Sequence, residues 1–406
     1  MKAFDVLKER GYVYQITNEE KVKDLLNNQK ITFYFGIDPT ADSLHIGHFF
    51  ALTIVRRLQK MGHKAIIVIG GATAMVGDPS GKAKMRDMLS EKEIDHNKKE
   101  VRGLIERFVD VEGSNRAIIL DNADWINGES YIGFLRKIGV HFNVNKMLAA
   151  DCYKKRLKEG GLTFLEMGYM LMQAYDFVYL NREHNCVLQV GGSDQWGNIV
   201  AGVDLGRKLD NLEGKDVEKI FGLTCPLLVK ADGEKMGKTE SGTLWVSREK
   251  TTVYDFYQMF INSYDEDVER LMAFFGDYEM DWIKKICDDD IVEAKKIMAF
   301  EVTKLVHGEA EALKVRETCE KLFAKGETCS NMPTFKLKVS CLKMNVLDFL
   351  VLTEIVSSKS EAKRLIEQKG IKINKEVVLS VDDEIELCND VIVQRGKKIF
   401  LKVVVC

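Results

Sequence analysis

The chain has 406 residues, 46% hydrophobic and 30% charged, with only 4 prolines beside 31 glycines. This composition fits a soluble globular protein of two or three domains and excludes collagenous or largely disordered chains. A net charge of -3 excludes a surface that coats nucleic acid everywhere, so any RNA or DNA contact has to use local patches.

No apolar run approaches the ~18 residues needed to span a bilayer. The first fifteen residues lack the apolar stretch of a secretion signal, so a cytoplasmic location and no membrane are expected. Nine cysteines are scattered with no C-x-x-C spacing, which suggests reduced thiols and neither a zinc ribbon nor a disulfide framework.

In chain order, residues 31–37 read as a first strand. A loop through Pro39 leads to a helix over 45–61 with Gly62 as its cap, and residues 64–70 form a second strand. Ser90 and Glu93 have the spacing of a capping box that starts a helix, and 117–120 is a third strand. Residues 187–190 and 221–229 complete the set, with a helix starting near Asp194 between them. Strands alternating with helical periods predict a doubly wound α/β domain over 1–242 with a parallel, Rossmann-like sheet.

A helical insertion of roughly sixty residues between the third and fourth strands carries Lys146, Lys154, Lys155, Arg156 and Lys158. Helical periods dominate 243–330, predicting a separate helical domain, and Met332, Pro333 and Thr334 suit a linker. A small α+β domain is expected over 336–406. Its segment 336–375 holds nine Lys or Arg against four Asp or Glu, a basic face on an acidic protein.

Ligands of doubly wound sheets bind beyond the carboxyl ends of the strands. There the sequence places Gly36, Asp38, Pro39 and Thr40, then His45, Ile46, Gly47 and His48 on a first helical turn. Two histidines three apart share a face beside amide donors, and Gly47 leaves room for a ring or a phosphate, an arrangement suited to an anion. A surface histidine pair is the bland alternative. A metal site is unlike it, since cysteine and glutamate with ligand spacing are lacking nearby, so no metal ligand is assigned.

A second signal follows the last strand, in Gly233, Lys235, Met236, Gly237, Lys238 and Thr239. It is one residue short of a P-loop and in the wrong place for one. Two lysines in such a loop can still close over a polyphosphate, and a solvated turn is the alternative.

Together the two segments resemble the HIGH and KMSKS signatures of class I aminoacyl-tRNA synthetases. The second departs from its pattern at Gly237 and Thr239, both serines in the pattern; pyrophosphate handling is expected to survive, with a more mobile loop. From about Phe4 to the C-terminus the chain resembles the bacterial tyrosyl-tRNA synthetase family. The segments that carry this are 34–40, Gly77-Asp78-Pro79-Ser80-Gly81, Glu166 through Tyr169 to Asp176, and Gly191-Gly192-Ser193-Asp194-Gln195-Trp196-Gly197.

The resemblance implies that Tyr34 and Asp176 hold the phenolic hydroxyl of tyrosine, and that Asp78, Tyr169 and Gln173 clamp its ammonium group. Tyr169, Gln173 and Asp176, four and three apart, share one helix face. Gly36, Asp38, Gly47, Gly192, Asp194 and Gln195 are implied to line the ATP side and the adenylate. Thr40, His45 and His48 would meet the phosphates, with Lys82, Arg86, Lys235, Lys238 and Thr239 around the leaving pyrophosphate.

The resemblance further implies ATP with Mg2+ and a homodimer through the insertion around Tyr131 to Phe164. It also implies tRNA(Tyr) as partner, with Lys146, Lys154, Arg207 and Lys208 on the acceptor arm. Lys359, Lys363 and Arg364 fall in a C-terminal stretch that resembles the RNA-binding module these enzymes share with a small-subunit ribosomal protein. Competing readings are a tryptophanyl synthetase, a small-molecule adenylyltransferase and a non-catalytic RNA-binding paralogue.

Overall fold

The computed structural model describes residues 1–406 except 81–84, 86, 216–218, 240–241, 326–333, 338–342, 375, 388–390, 397–398 and 406. The expected positions Lys82, Arg86, Met332 and Pro333 lie outside the described residues, as do the side chains of Lys155, Lys238 and Thr239. The chain divides into two compact units, Met1–Thr251 with Phe260–Val302, and Thr252–Met259 with Thr303–Cys406.

The first unit is built on a six-stranded sheet of β1 (Gln15–Ile16), β2 (Thr32–Ile37), β3 (Lys64–Ile69), β4 (Ile118–Asp121), β5 (Cys186–Gly192) and β6 (Phe221–Cys225). Their order is β1-β6-β5-β2-β3-β4. All neighbours are parallel except the edge strand β1, which is antiparallel to β6. From β2 the sheet grows outward through β3 and β4 on one side and through β5 and β6 on the other. The crevice of this doubly wound sheet therefore opens at the carboxyl ends of β2 and β5.

β2 and β3 are continuous apolar runs because helices cover both faces, and Ala65 to Ile69 are all buried. Helix α1 (Ile46–Lys60) follows β2, α2 (Glu91–Ile105) precedes β4, α3 (Asp151–Glu159) lies in the insertion, and α4 (Phe164–His184) packs along α5 (Trp196–Leu212). Ser90 and Glu93 make both bonds of the capping box that starts α2. Gly62, at φ +92°, turns the chain out of α1 into β3. Helix α6 (Asp265–Phe275) follows in the same unit.

Three expectations need correction. The last strand stops at Cys225 because Pro226 has no N–H to continue the ladder. β1 has no counterpart in the sequence reading, since two residues carry no periodicity. Arg156, counted among the basic residues of the insertion, is buried at 5% exposure and forms a double ion pair with Glu166 through Nε at 2.9 Å and Nη2 at 3.0 Å.

The second unit contains a five-stranded sheet in which β9 (Thr334–Leu337) lies parallel to β15 (Ile399–Val405); β11 (Ile371–Ile373), β12 (Glu376–Val377) and β14 (Val391–Arg395) are antiparallel. A pair, β10 (Lys343–Asn345) and β13 (Glu384–Glu386), and helices α7 (Val346–Leu352) and α8 (Lys359–Glu367) accompany it. Thr334, expected in a linker, opens β9. Leu337, Phe349, Ile366, Ile371, Val393 and Val403 belong to a core whose described buried residues lie between 337 and 403, with Phe335 packed against it.

Candidate active site

A cleft of about 580 Å³ opens at the carboxyl ends of β2 and β5. Tyr34, Gly36, Asp38, Thr40, His45, Gly47, His48, Asp78, Tyr169, Gln173, Asp176, Gly192, Asp194, Gln195 and Lys235 all line it. Strands, helices and loops separated by up to about two hundred residues meet there because the winding of the sheet brings their ends to one side.

His45 is the N-cap of α1, not its first helical residue. Its Nδ1 accepts from the amides of Gly47 at 3.1 Å and His48 at 3.2 Å. Those two donors, expected to face a ligand, are thus satisfied within the cap. With Nδ1 accepting, a neutral His45 carries its proton on Nε2. The rings of His45 and His48 stack with centroids 3.7 Å apart. A Cβ on residue 47 would stand 3.0 Å from the His45 ring, so this glycine makes room for the cap itself.

The inner end of the cleft is acidic and hydrogen-bonded. Asp176 is fully buried, and its carboxylate accepts from Trp125 Nε1 at 2.8 Å and Asn122 Nδ2 at 3.1 Å. Asn122 Nδ2 also donates to Thr73 Oγ1 at 3.0 Å, and Thr73 in turn donates to Asp38 at 2.7 Å. Tyr169 donates to the other Asp38 oxygen at 2.8 Å. Asp78 accepts from Gln195 Nε2 at 2.7 Å and from the Ser80 amide at 3.0 Å.

Burial first, then the charges of Asp38 and Asp78, hold the Tyr169 hydroxyl well above its ordinary pKa. Against this order, the Tyr34 hydroxyl and Gln173 Oε1 are buried without a hydrogen-bond partner. Such atoms carry a desolvation cost that a bound donor or acceptor would offset. Tyr34 and Gln189 face each other in register on β2 and β5, and Gln189 Oε1 is also unpartnered.

Asn122, Trp125 and Thr73 escaped the sequence reading. Their signal was positional: Asp121-Asn122-Ala123-Asp124-Trp125 begins where β4 ends, at the same carboxyl edge as the other motifs.

Burial raises the Asp176 pKa to about 7, opposed by the bonds from Asn122 and Trp125 and reinforced by Asp38 and Asp121. An unfolded aspartate ionises at ~3.9, so between that pH and about 7 the native protein holds a proton that the unfolded chain loses. Stability from this group is fully present below about pH 4 and is lost as pH rises through about 7. Between about pH 5 and about pH 8, the melting temperature of the wild type is expected to fall by several degrees more than that of Asp176→Asn. Parallel melting curves in calorimetry would contradict this assignment.

At the outer rim, Lys235 is exposed and pairs with Val229 across a short hairpin. Gly237 has φ +88°, and a Cβ there would lie 2.3 Å from Ile46 Cγ2, so a serine is excluded from this close approach to the histidine helix. The strands β7 (Lys238–Thr239) and β8 (Gly242–Thr243) follow, and Leu244 to Val246 bond to Leu44 and Ile46. Leu244 links the two signature segments: its carbonyl accepts from the Ile46 amide at 3.2 Å and its amide donates to the Gly237 carbonyl at 2.7 Å.

The residues expected on RNA are scattered over exposed surface. Lys146, Lys154, Lys363 and Arg364 are exposed. Arg207 pairs with Asp204 at 3.1 Å, Lys208 donates to the His141 carbonyl at 2.6 Å, and Lys359 pairs with Asp348. Among the described residues no three His, Cys, Asp or Glu side chains cluster as metal ligands, and no helix is long and apolar enough to cross a membrane.

Comparison with known proteins agrees with this architecture. Residues 26–324 match the family model for class I tRNA synthetases (W and Y), and residues 325–403 match that for the tyrosine–tRNA ligase C-terminal domain. A tyrosine–tRNA ligase of Clostridium tetani is 48% identical over 99% of this chain and 98% of its own length. That of Acetivibrio thermocellus is 47% identical over 98% of both. A C-terminally truncated mitochondrial tyrosyl-tRNA synthetase of Aspergillus nidulans superimposes with a TM-score of 0.70 at 28% identity, covering 79% of this chain and 94% of that one. With a family model spanning most of the chain and relatives this similar along its whole length, the chain belongs to the tyrosine–tRNA ligase family of class I tRNA synthetases.

Proposed function

We propose that the protein is a tyrosine–tRNA ligase that activates tyrosine with ATP and transfers it to the 3'-terminal adenosine of tRNA(Tyr). The observation that carries this reading is the polarity of the cleft. Buried acceptors and the unpartnered Tyr34 hydroxyl sit at the inner end, and the histidine pair and Lys235 stand at the other. A zwitterion with a phenol fits the first and a polyphosphate the second.

In the first step a tyrosine carboxylate oxygen attacks the α-phosphorus, and pyrophosphate leaves with the bond's electron pair. Tyr34 and Asp176 receive the phenol, which donates to the carboxylate. Asp78, Tyr169 and Gln173 hold the ammonium group. Gly36, Asp38, Gly47, Gly192, Asp194 and Gln195 lie along the nucleoside. Thr40, His45, His48 and Lys235, with Lys82, Arg86, Lys238 and Thr239, neutralise charge that grows toward the transition state, where it lowers the barrier. In the second step a ribose hydroxyl of the tRNA attacks the adenylate carbonyl and AMP departs.

Mg2+ arrives on the phosphate oxygens of ATP as part of the substrate. Residues 1–242 carry the chemistry, 243–330 serve the anticodon side, and 336–406 grip RNA, with Lys359, Lys363 and Arg364 on α8 and Lys146, Lys154, Arg207 and Lys208 toward the acceptor arm. Exposed Tyr131, Ile132, Val140 and Phe164 support a homodimer through the insertion. The protein works in the cytoplasm. Pyrophosphate exchange screened over all twenty amino acids tests the reading: tyrosine alone should support it, and no exchange with tyrosine would favour a non-catalytic RNA-binding protein.

A further inference from the structure

Lys235 stands on the return leg of a hairpin whose turn is Ala231 to Glu234. Lys230 donates its amide to the Glu234 carbonyl at 2.8 Å, Met236 donates to Leu228 at 2.9 Å, and Val229 bridges Lys235. An exposed two-stranded ribbon of this size has little stability of its own in water. Here its outgoing leg is gripped from α6. Asp267, only 3% exposed, accepts from the Ala231 amide at 3.0 Å and from Arg270 Nη2 at 2.6 Å. Arg270 Nη2 also donates to the Val229 carbonyl, and Tyr264 donates to Asp232 at 3.1 Å. Of the two backbone groups held by this pair, the Val229 carbonyl belongs to the residue that bridges Lys235, and the Ala231 amide opens the turn.

We propose that Asp267, together with Arg270, is a positioning residue for Lys235, fixing the base of the hairpin so that the ammonium group stands over the phosphate end of the cleft. This rests on the ligase reading above. Asp267 touches no substrate; its carboxylate sets where the backbone of Ala231 and Val229 runs, and the hairpin transmits that to residue 235. A buried acid in the first turn of α6 also suits the helix macrodipole, so a purely structural purpose has to be separated from this one.

A double-mutant cycle on full-length protein separates them, with tyrosine-dependent pyrophosphate exchange as the readout. Asp267→Ala is expected to lower kcat/KM for ATP by on the order of 10-fold while leaving KM for tyrosine within about twofold. In a Lys235→Ala background the same change should cost less than about twofold, because the group being positioned is gone. Arg270→Ala should repeat the pattern and decides the matter if Asp267→Ala does not fold. Equal losses with and without Lys235, or equal rises in KM for both substrates, would show that Asp267 merely stabilises the fold and overturn the proposal. Absence of exchange in the wild type would instead sink the ligase reading itself.

Discussion

Replacing Asp176 by alanine is expected to lower tyrosine-dependent exchange by about 10²-fold or more and to erase the preference for tyrosine over phenylalanine. The carboxylate is fully buried, and both oxygens are already aimed by Trp125 and Asn122. Deleting it strands those two donors and removes an acidic group of α4 whose charge acts on the buried, unpartnered Tyr34 hydroxyl. A hydrogen bond to a charged group contributes ~1.5–3 kcal/mol, and the stranded donors add a comparable cost. Kinetics with both amino acids check this. An undiminished preference for tyrosine in Asp176→Ala would place the phenol elsewhere.

Deleting residues from Asn331 onward should separate the two half-reactions. The described buried residues of the C-terminal core, from Leu337 to Val403, form a cluster of their own, and the lining of the cleft comes from residues 34–243. Pyrophosphate exchange is expected to stay within about twofold, while tRNA charging falls by on the order of 10²-fold or more as phosphate contacts disappear. Equal loss in both assays would show that the C-terminal segment is needed for the cleft itself.

The strands and the capping box were legible because their signals are local. Continuous apolar runs and the Ser90–Glu93 spacing depend on neighbours in sequence, and the structure repeats them within a residue or two. The stop at Cys225 was missed by weighing the apolar Leu227, Leu228 and Val229 above the missing donor of Pro226. The amides near His45 were misjudged for a different reason. A histidine can cap a helix with its own ring, and only the rotamer reveals that it does so here.

By itself the sequence determined which chemistry could occur: two histidines three apart at the start of a helix, a lysine pair in a glycine-containing loop, and three polar residues on one face of α4. Only the tertiary structure decided that Asn122 and Trp125 aim Asp176, that Ile46 demands a glycine at 237, and that Asp267 reaches the base of the lysine hairpin. The physical reason is distance along the chain. Residues within a few positions are related by the helix and strand periods, whereas contacts across 36 residues or more arise from how the elements pack, and a single sequence carries no periodic trace of them.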